Sequence, residues 1–202
     1  SLLQQGFKQK TIDVLIRKSL IKLTQPTTNA EKNLVKLNDE QNEFIGQFHV
    51  DSFHIHLLWG VTGSGKTECF SHVLAKIKTQ ALILVPEIGL IGQTVSKLER
   101  RLGQEILAYH SNLSNQERDL VRASLQHNQH QIVVATRSGI FLPFAQLGLI
   151  ILDEEHDPAY QQDTAWPYHA RDIAIWRAKM DVFPVLLASA TPSLATLHNT
   201  KI

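Results

Sequence analysis

The stretch Gly60-Val61-Thr62-Gly63-Ser64-Gly65-Lys66-Thr67 constrains this chain more than any other. It matches the G-x-x-x-x-G-K-[ST] pattern of a P-loop, which has meaning only between a strand and a helix. Both neighbours are legible. Residues 53–59 alternate and then turn fully apolar, as a buried strand does. Residues 67–78 place Phe70, Val73, Leu74 and Ile77 on one helical stripe. Gly60, Gly63 and Gly65 let the backbone curl until successive N–H groups point inward around a phosphate, with Thr62 and Ser64 completing the cradle. The helix N-terminus adds partial positive charge. Lys66 is expected to reach the β- and γ-phosphates, and the Thr67 hydroxyl to hold Mg²⁺. In this setting the pattern specifies a nucleoside-triphosphate site.

A chain of 202 residues, 43% hydrophobic, can bury one substantial core and carry a small appendage. Downstream of the P-loop, strands are expected at 81–85, 106–109, 132–135, 149–152 and 185–188. Helices are expected at 91–102, 114–126 and 169–180. Buried apolar strands alternating with amphipathic helices predict an α/β fold, a mostly parallel sheet with helices on both faces. Ligands then sit at the carboxyl ends of the strands. Before the P-loop, residues 1–28 read as a helix and short strand. They suit either the remnant of a winged-helix-like domain or an amphipathic helix packed on the main body. Residues 29–36 read as a polar linker, and 37–202 as the nucleotide-binding domain. The chain starts at Ser1 and its only methionine is Met180, so it reads as a piece of a longer protein.

The formal net charge of +1 offers no global field for nucleic acid, so any such binding must use a local groove. Cys69 is the single cysteine and has no disulfide partner, which points to a reducing, cytoplasmic setting. No apolar run of about 18 residues exists, so no membrane span is expected. The ten histidines, with pairs at His54 and His56 and at His127 and His130, match no metal-ligand spacing.

Three further stretches carry chemistry. Residues 149–154 form an apolar strand ending in Asp153 and Glu154, a Walker B pattern. Asp153 is expected to hold Mg²⁺ through water, and Glu154 to orient or deprotonate the water attacking the γ-phosphate. Ser189-Ala190-Thr191-Pro192 ends the last strand with small hydroxyl residues able to touch the carboxylates and a moving partner. Residues 157–168 form a polar loop holding Tyr160, Trp166 and Tyr168, rings that either stack bases or pin the loop to the surface. Gln41 stands three residues after Asn38, the spacing of a capping box, and could alternatively hydrogen-bond adenine at the P-loop mouth.

GVTGSGKT, LVPEIGL, ATRSGIF, LGLIILDEEH and SATPS, in this order, resemble motifs I, Ia, Ib, II and III of superfamily 2 helicases with a DEAH-type box. The longer strings, including TRSGIFLPF and DEEHDPAYQQ followed by YHARD, resemble the primosomal replication-restart helicases over residues 37–197. The resemblance implies the first RecA-like lobe of an ATP-driven 3′-5′ DNA helicase that binds single-stranded or forked DNA. Its expected partners are primosome and single-strand-binding proteins. It implies an adenine contact for Gln41, against the capping reading. Pro86, Glu87, Thr136, Arg137 and Ser138 would line the DNA track, and the loop with Tyr160, Trp166 and Tyr168 would sense DNA. His156 would couple the ATP site to Ser189 and Thr191. A second lobe, its arginine finger and zinc-binding cysteines are implied beyond residue 202. A non-catalytic, regulatory nucleotide-binding module is the competing reading. A transporter- or kinase-type P-loop enzyme leaves DEEH with SAT unexplained.

Overall fold

The computed structural model describes residues 33–129, 131–164 and 166–199. The main sheet contains β1 (Ile55–Trp59), β2 (Gln80–Leu84), β3 (Leu107–Tyr109), β4 (Ile132–Ala135), β5 (Leu147–Leu152) and β8 (Val185–Ser189). A small antiparallel hairpin, β6 (Gln161–Gln162) with β7 (Tyr168–His169), lies between the last two in sequence. Every pairing in the six-stranded sheet is parallel, in the order β1-β8-β5-β2-β4-β3. The helices are α1 (Asp39–Gln47), α2 (Lys66–Lys76), α3 (Ile88–Leu102), α4 (Asn115–Gln126), α5 (Ala170–Asp181) and α6 (Leu194–Asn199).

The strands are apolar at nearly every position because both faces of the sheet are covered. Ala81 and Ile83 of β2 join a core with Phe70, Val73 and Leu74 of α2 and Ile91 and Leu98 of α3. Leu82 and Leu84 point the other way, into a core with Val121 and Leu125 of α4 and Ala170, Ala174 and Ala178 of α5. The expected architecture is the observed one. Capping boxes close the N-termini of α1 at Asn38 and α4 at Ser114, as the spacing indicates. Helix α3 begins at Ile88 rather than 91. Gly89 and Gly92 weaken the local helical signal, but Ile91, Leu98 and Leu102 are buried against the sheet and packing prevails.

Residues 33–36, read as linker from their polarity, are docked on the domain. Asn33 N donates to Arg101 O at 2.9 Å, Leu34 packs against the core, and Val35 O lies 2.9 Å from His72 Nε2. Residues 1–28 lie outside the described residues. The strand order brings the function-bearing segments together. β8 sits between β1 and β5, so the P-loop and the tips of β8 and β5 emerge side by side.

Candidate functional site

The P-loop leaves β1 at Gly60, whose N–H donates to Ser189 O at 3.1 Å. Its turn closes through Ser64 N to Val61 O, 3.1 Å, and Gly63 takes φ 83°. Gly65 caps α2 at φ 85°, a left-handed conformation, and a Cβ there would stand 2.7 Å from Gln41 Nε2. Glycine is therefore needed at this position twice over, for backbone conformation and for space. No side chain caps α2, so its first N–H groups face the loop concavity. Lys66 is only 9% exposed. Its ammonium donates to Gly60 O at 2.9 Å and lies 3.3 Å from Glu154 Oε1. The ammonium folds back onto partners that supply the charge balance a phosphate would offer.

Asp153 follows β5, and its N–H donates to Leu84 O of the neighbouring strand at 2.9 Å. Burial, then the adjacent Glu154 charge, raises its carboxyl from 3.8 to about 6, against the opposing pull of Lys66. Asp153 Oδ1 accepts from Glu154 N at 3.1 Å. Glu154 holds φ 48°, a left-handed backbone that a non-glycine residue adopts at a cost of about 1–3 kcal/mol. That turn brings one carboxylate oxygen to Lys66 and leaves the other, Oε2, buried without a hydrogen-bond partner. His156 Nδ1 lies 3.7 Å from Oε2, too far for a hydrogen bond, and 2.7 Å from Ser189 Oγ. Ser189 Oγ accepts in turn from Thr191 N at 3.0 Å. Lys66, Asp153, Glu154, His156, Ser189 and Thr191 thus form one connected cluster at the tips of β1, β5 and β8.

The donor set fits a magnesium nucleotide. An unpartnered buried carboxylate oxygen suits a positioned water, and an ammonium held by only a carbonyl and one carboxylate has donor capacity to spare. Among the described residues no cluster of three His, Cys, Asp or Glu could hold a metal ion unaided. Magnesium needs only one or two protein oxygens when phosphates and water complete its shell, and Thr67 and Asp153 could supply them.

Gln41 forms the capping box and also reaches the P-loop. Its Oε1 accepts from Asn38 N at 3.0 Å and its N–H from the backbone donates to Asn38 Oδ1 at 2.8 Å, which is the capping box. Its Nε2 donates to Ser64 O of the P-loop at 2.9 Å. Beside it opens a cavity of about 420 Å³, lined by Asn38, Gln41, Phe44, Leu58, Trp59 and Lys66, a size suited to a small ligand.

The aromatic loop divides. Tyr160, read as either a base-stacking ring or a pin for the loop, is fully buried. Its hydroxyl donates to Leu84 O at 2.9 Å and Asp153 O at 2.7 Å, so it anchors the loop beneath the carboxylates. Apolar burial of the ring and two carbonyl acceptors outweigh exposure in a loop that is polar by composition. Trp166 is 84% exposed. Tyr168 is half-buried, with Phe141 edge-on at 5.1 Å and the Arg137 guanidinium 5.9 Å from its ring centre. Arg137 also donates to Ala159 O at 3.1 Å and to Gln161 O, clasping the loop. Ser138 is exposed beside it and Thr136 caps the same 3₁₀ turn, Arg137–Phe141. Pro86 and Glu87 follow β2, with Glu87 exposed at the start of α3. All of these lie at carboxyl ends of strands.

Two residues escaped sequence reasoning. Phe141 is 60% exposed against Tyr168. A large ring just past a strand tip was the available signal. Glu155 is fully buried within an ion-paired network. A third acid directly after Asp153 and Glu154 gives no local hint that its side chain turns inward.

A family model for DEAD/DEAH box helicases matches residues 38–200. The chain is similar to replication restart protein PriA of Haemophilus influenzae, 46% identical over 181 residues, 87% of this chain and 24% of that protein. The same protein of Synechocystis is 40% identical over 204 residues, 98% of this chain and again 24% of the relative. The chain spans about a quarter of the length of these curated relatives. Among solved structures, RecG bound to a three-way DNA junction superposes with a TM-score of 0.61 at 19% identity, over 96% of this chain and 25% of that one. The helicase domain of Pyrococcus furiosus Hef gives 0.56 at 19%, over 80% and 34%. At such identities the structures show the fold alone, and it is the RecA-like α/β fold expected.

Proposed function

The chain belongs to the DEAD/DEAH box helicase family, and from that premise we propose that it is the ATP-binding motor lobe of a PriA-type replication-restart DNA helicase working 3′ to 5′. One observation carries the reading. Lys66 of the P-loop and Glu154 of the acidic strand tip meet at 3.3 Å, with an unpartnered Glu154 oxygen beside them. Thr67 and Asp153 would hold magnesium, which would supply charge neutralisation at the phosphates of bound ATP. Lys66 leaves Gly60 O for the phosphates, and Gly60, Thr62, Gly63, Ser64 and Gly65 present backbone N–H groups. Gln41 fastens the loop through Ser64 and contacts adenine. Glu154, released by Lys66, orients the attacking water. His156 carries the state of that carboxylate to Ser189 and Thr191.

Pro86, Glu87, Thr136 and Ser138 form one side of a single-strand track, and Trp166 with Tyr168 stacks bases above it. Arg137 acts mainly as the clasp of that loop. The substrate class is single-stranded or forked DNA, in keeping with the junction held by the structurally similar RecG. Primosome and single-strand-binding proteins are the partners of the whole protein, in the cytoplasm. No helix among the described residues is long and apolar enough to cross a membrane.

The test uses the full-length protein on a synthetic fork. ATP-dependent strand displacement is expected, and Glu154→Gln is expected to bind ATP normally while losing hydrolysis. ATP binding without hydrolysis or displacement in the unsubstituted protein would favour a regulatory nucleotide-binding module instead.

A further inference from the structure

Glu155 has no exposed surface, and a carboxylate is tolerated there only if partners replace its water. Those partners come from two other segments. Ser193 N donates to Oε1 at 3.0 Å and Thr196 Oγ1 donates to Oε2 at 2.9 Å. Arg171 Nη1 donates to Oε2 at 3.1 Å and also reaches Ser193 Oγ at 3.1 Å and Thr196 Oγ1 at 3.3 Å. Ser193 and Thr196 follow β8. Arg171 opens α5 directly after the β6–β7 hairpin, and its own N–H donates to Nδ1 of His169 in β7 at 3.2 Å.

The network therefore joins the aromatic hairpin, the segment beyond β8 and the acidic turn. Glu155 N also donates to Ala188 O at 2.9 Å, so backbone and side chain are both held. The residue before it is Glu154, kept in its left-handed conformation between two tethered neighbours. A shift of Glu155 would rotate the peptide that aims Glu154. Stability alone gives no reason for this arrangement, since an apolar set of similar volume avoids the desolvation cost. Its distinguishing property is directional: one guanidinium fixes three oxygens on two segments.

We infer that Glu155 and Arg171 are a positioning pair, linking the aromatic hairpin to Glu154 so that single-stranded DNA on the hairpin accelerates hydrolysis. The inference rests on the helicase reading. Neither residue touches nucleotide or DNA; both act through Glu154.

The experiment measures phosphate release by the full-length protein across a titration of single-stranded oligonucleotide, together with thermal midpoints. In Glu155→Gln and Arg171→Lys the maximal stimulation by DNA is expected to fall about 2- to 30-fold, the range for substitutions along a coupling route. The DNA-free rate and the oligonucleotide concentration for half-stimulation should stay near those of the unsubstituted protein, while the midpoint falls with the broken buried pair. The double variant should lose no more than the worse single one. Thr196→Val, which keeps the charge pair, should show a smaller fall of the same kind and carries the test if the charge variants fold poorly. Full stimulation in the variants overturns the inference. So does an equal fall in both rates, the mark of a merely structural pair. An unsubstituted protein that hydrolyses ATP without any response to DNA overturns the helicase reading, and this inference with it.

Discussion

Asp153 carries the largest electrostatic tension of the site. Its folded carboxyl titrates at about 6 against 3.8 unfolded, so the fold prefers the protonated form. The stability this contributes is fully present below about 3.8 and is lost as pH rises through about 6. Asp153→Asn imitates the protonated form and can keep the bond from Glu154 N. It is expected to raise the thermal midpoint at pH 8 and leave it nearly unchanged at pH 3.5, which melting curves at the two pH values check. Magnesium nucleotide requires the ionised form, so its affinity should weaken as pH falls below about 6. Lys66 holds the opposite position. Lys66→Ala removes a charge-assisted phosphate contact of about 1.5–3 kcal/mol, about 10- to 150-fold in ATP affinity. Calorimetry showing equal affinity would remove Lys66 from the site.

At the scale of elements, the loop after β5 separates into an anchor and a probe. Tyr160→Phe takes the hydroxyl donor from Asp153 O and from Leu84 O, of which Leu84 O keeps the N–H of Asp153. It should lower stability by about 1–3 kcal/mol, read from denaturant unfolding, because the ring still fills its place but the polar atoms lose a partner. Trp166→Ala should do the reverse. The exposed ring contributes little to packing, so the midpoint holds, while binding to single strands weakens by about 1–3 kcal/mol per stacked base. A large fall in melting temperature for Trp166→Ala with unchanged DNA affinity would make it a structural ring.

At the scale of the molecule, the proposed site draws Lys66, Thr67, Asp153 and Glu154 from a single lobe. The resemblance assigns the transition-state arginine to a second lobe, and such a residue is worth about 10³–10⁵ in rate. The 202-residue chain on its own is therefore expected to bind ATP but turn it over very slowly, with or without DNA. With a net charge of +1 it should hold single strands weakly and with steep salt dependence. A steady-state assay on the purified chain decides this. DNA-stimulated turnover at helicase rates would show that one lobe suffices.

The sequence by itself determined whatever depends on neighbours along the chain. The P-loop was legible because its glycines, its lysine and the flanking strand and helix lie within about 25 residues, and the capping boxes at Asn38 and Ser114 because they span three. Apolar runs marked the strands, since a sheet covered on both faces leaves no polar alternation. The strand order was not legible, because which strands adjoin depends on crossovers between segments distant in sequence. It is that order, with β8 between β1 and β5, that brings Gly60, Ser189 and Asp153 to one place. Side-chain direction at turns was equally hidden. The left-handed φ of Glu154 sends one acid toward Lys66 and the next into the interior, and Tyr160 drops beneath Asp153 while Trp166 stays in solvent. Three adjacent acids and three nearby rings look alike in sequence; burial and distant hydrogen-bond partners, which only the folded chain supplies, give each its separate task.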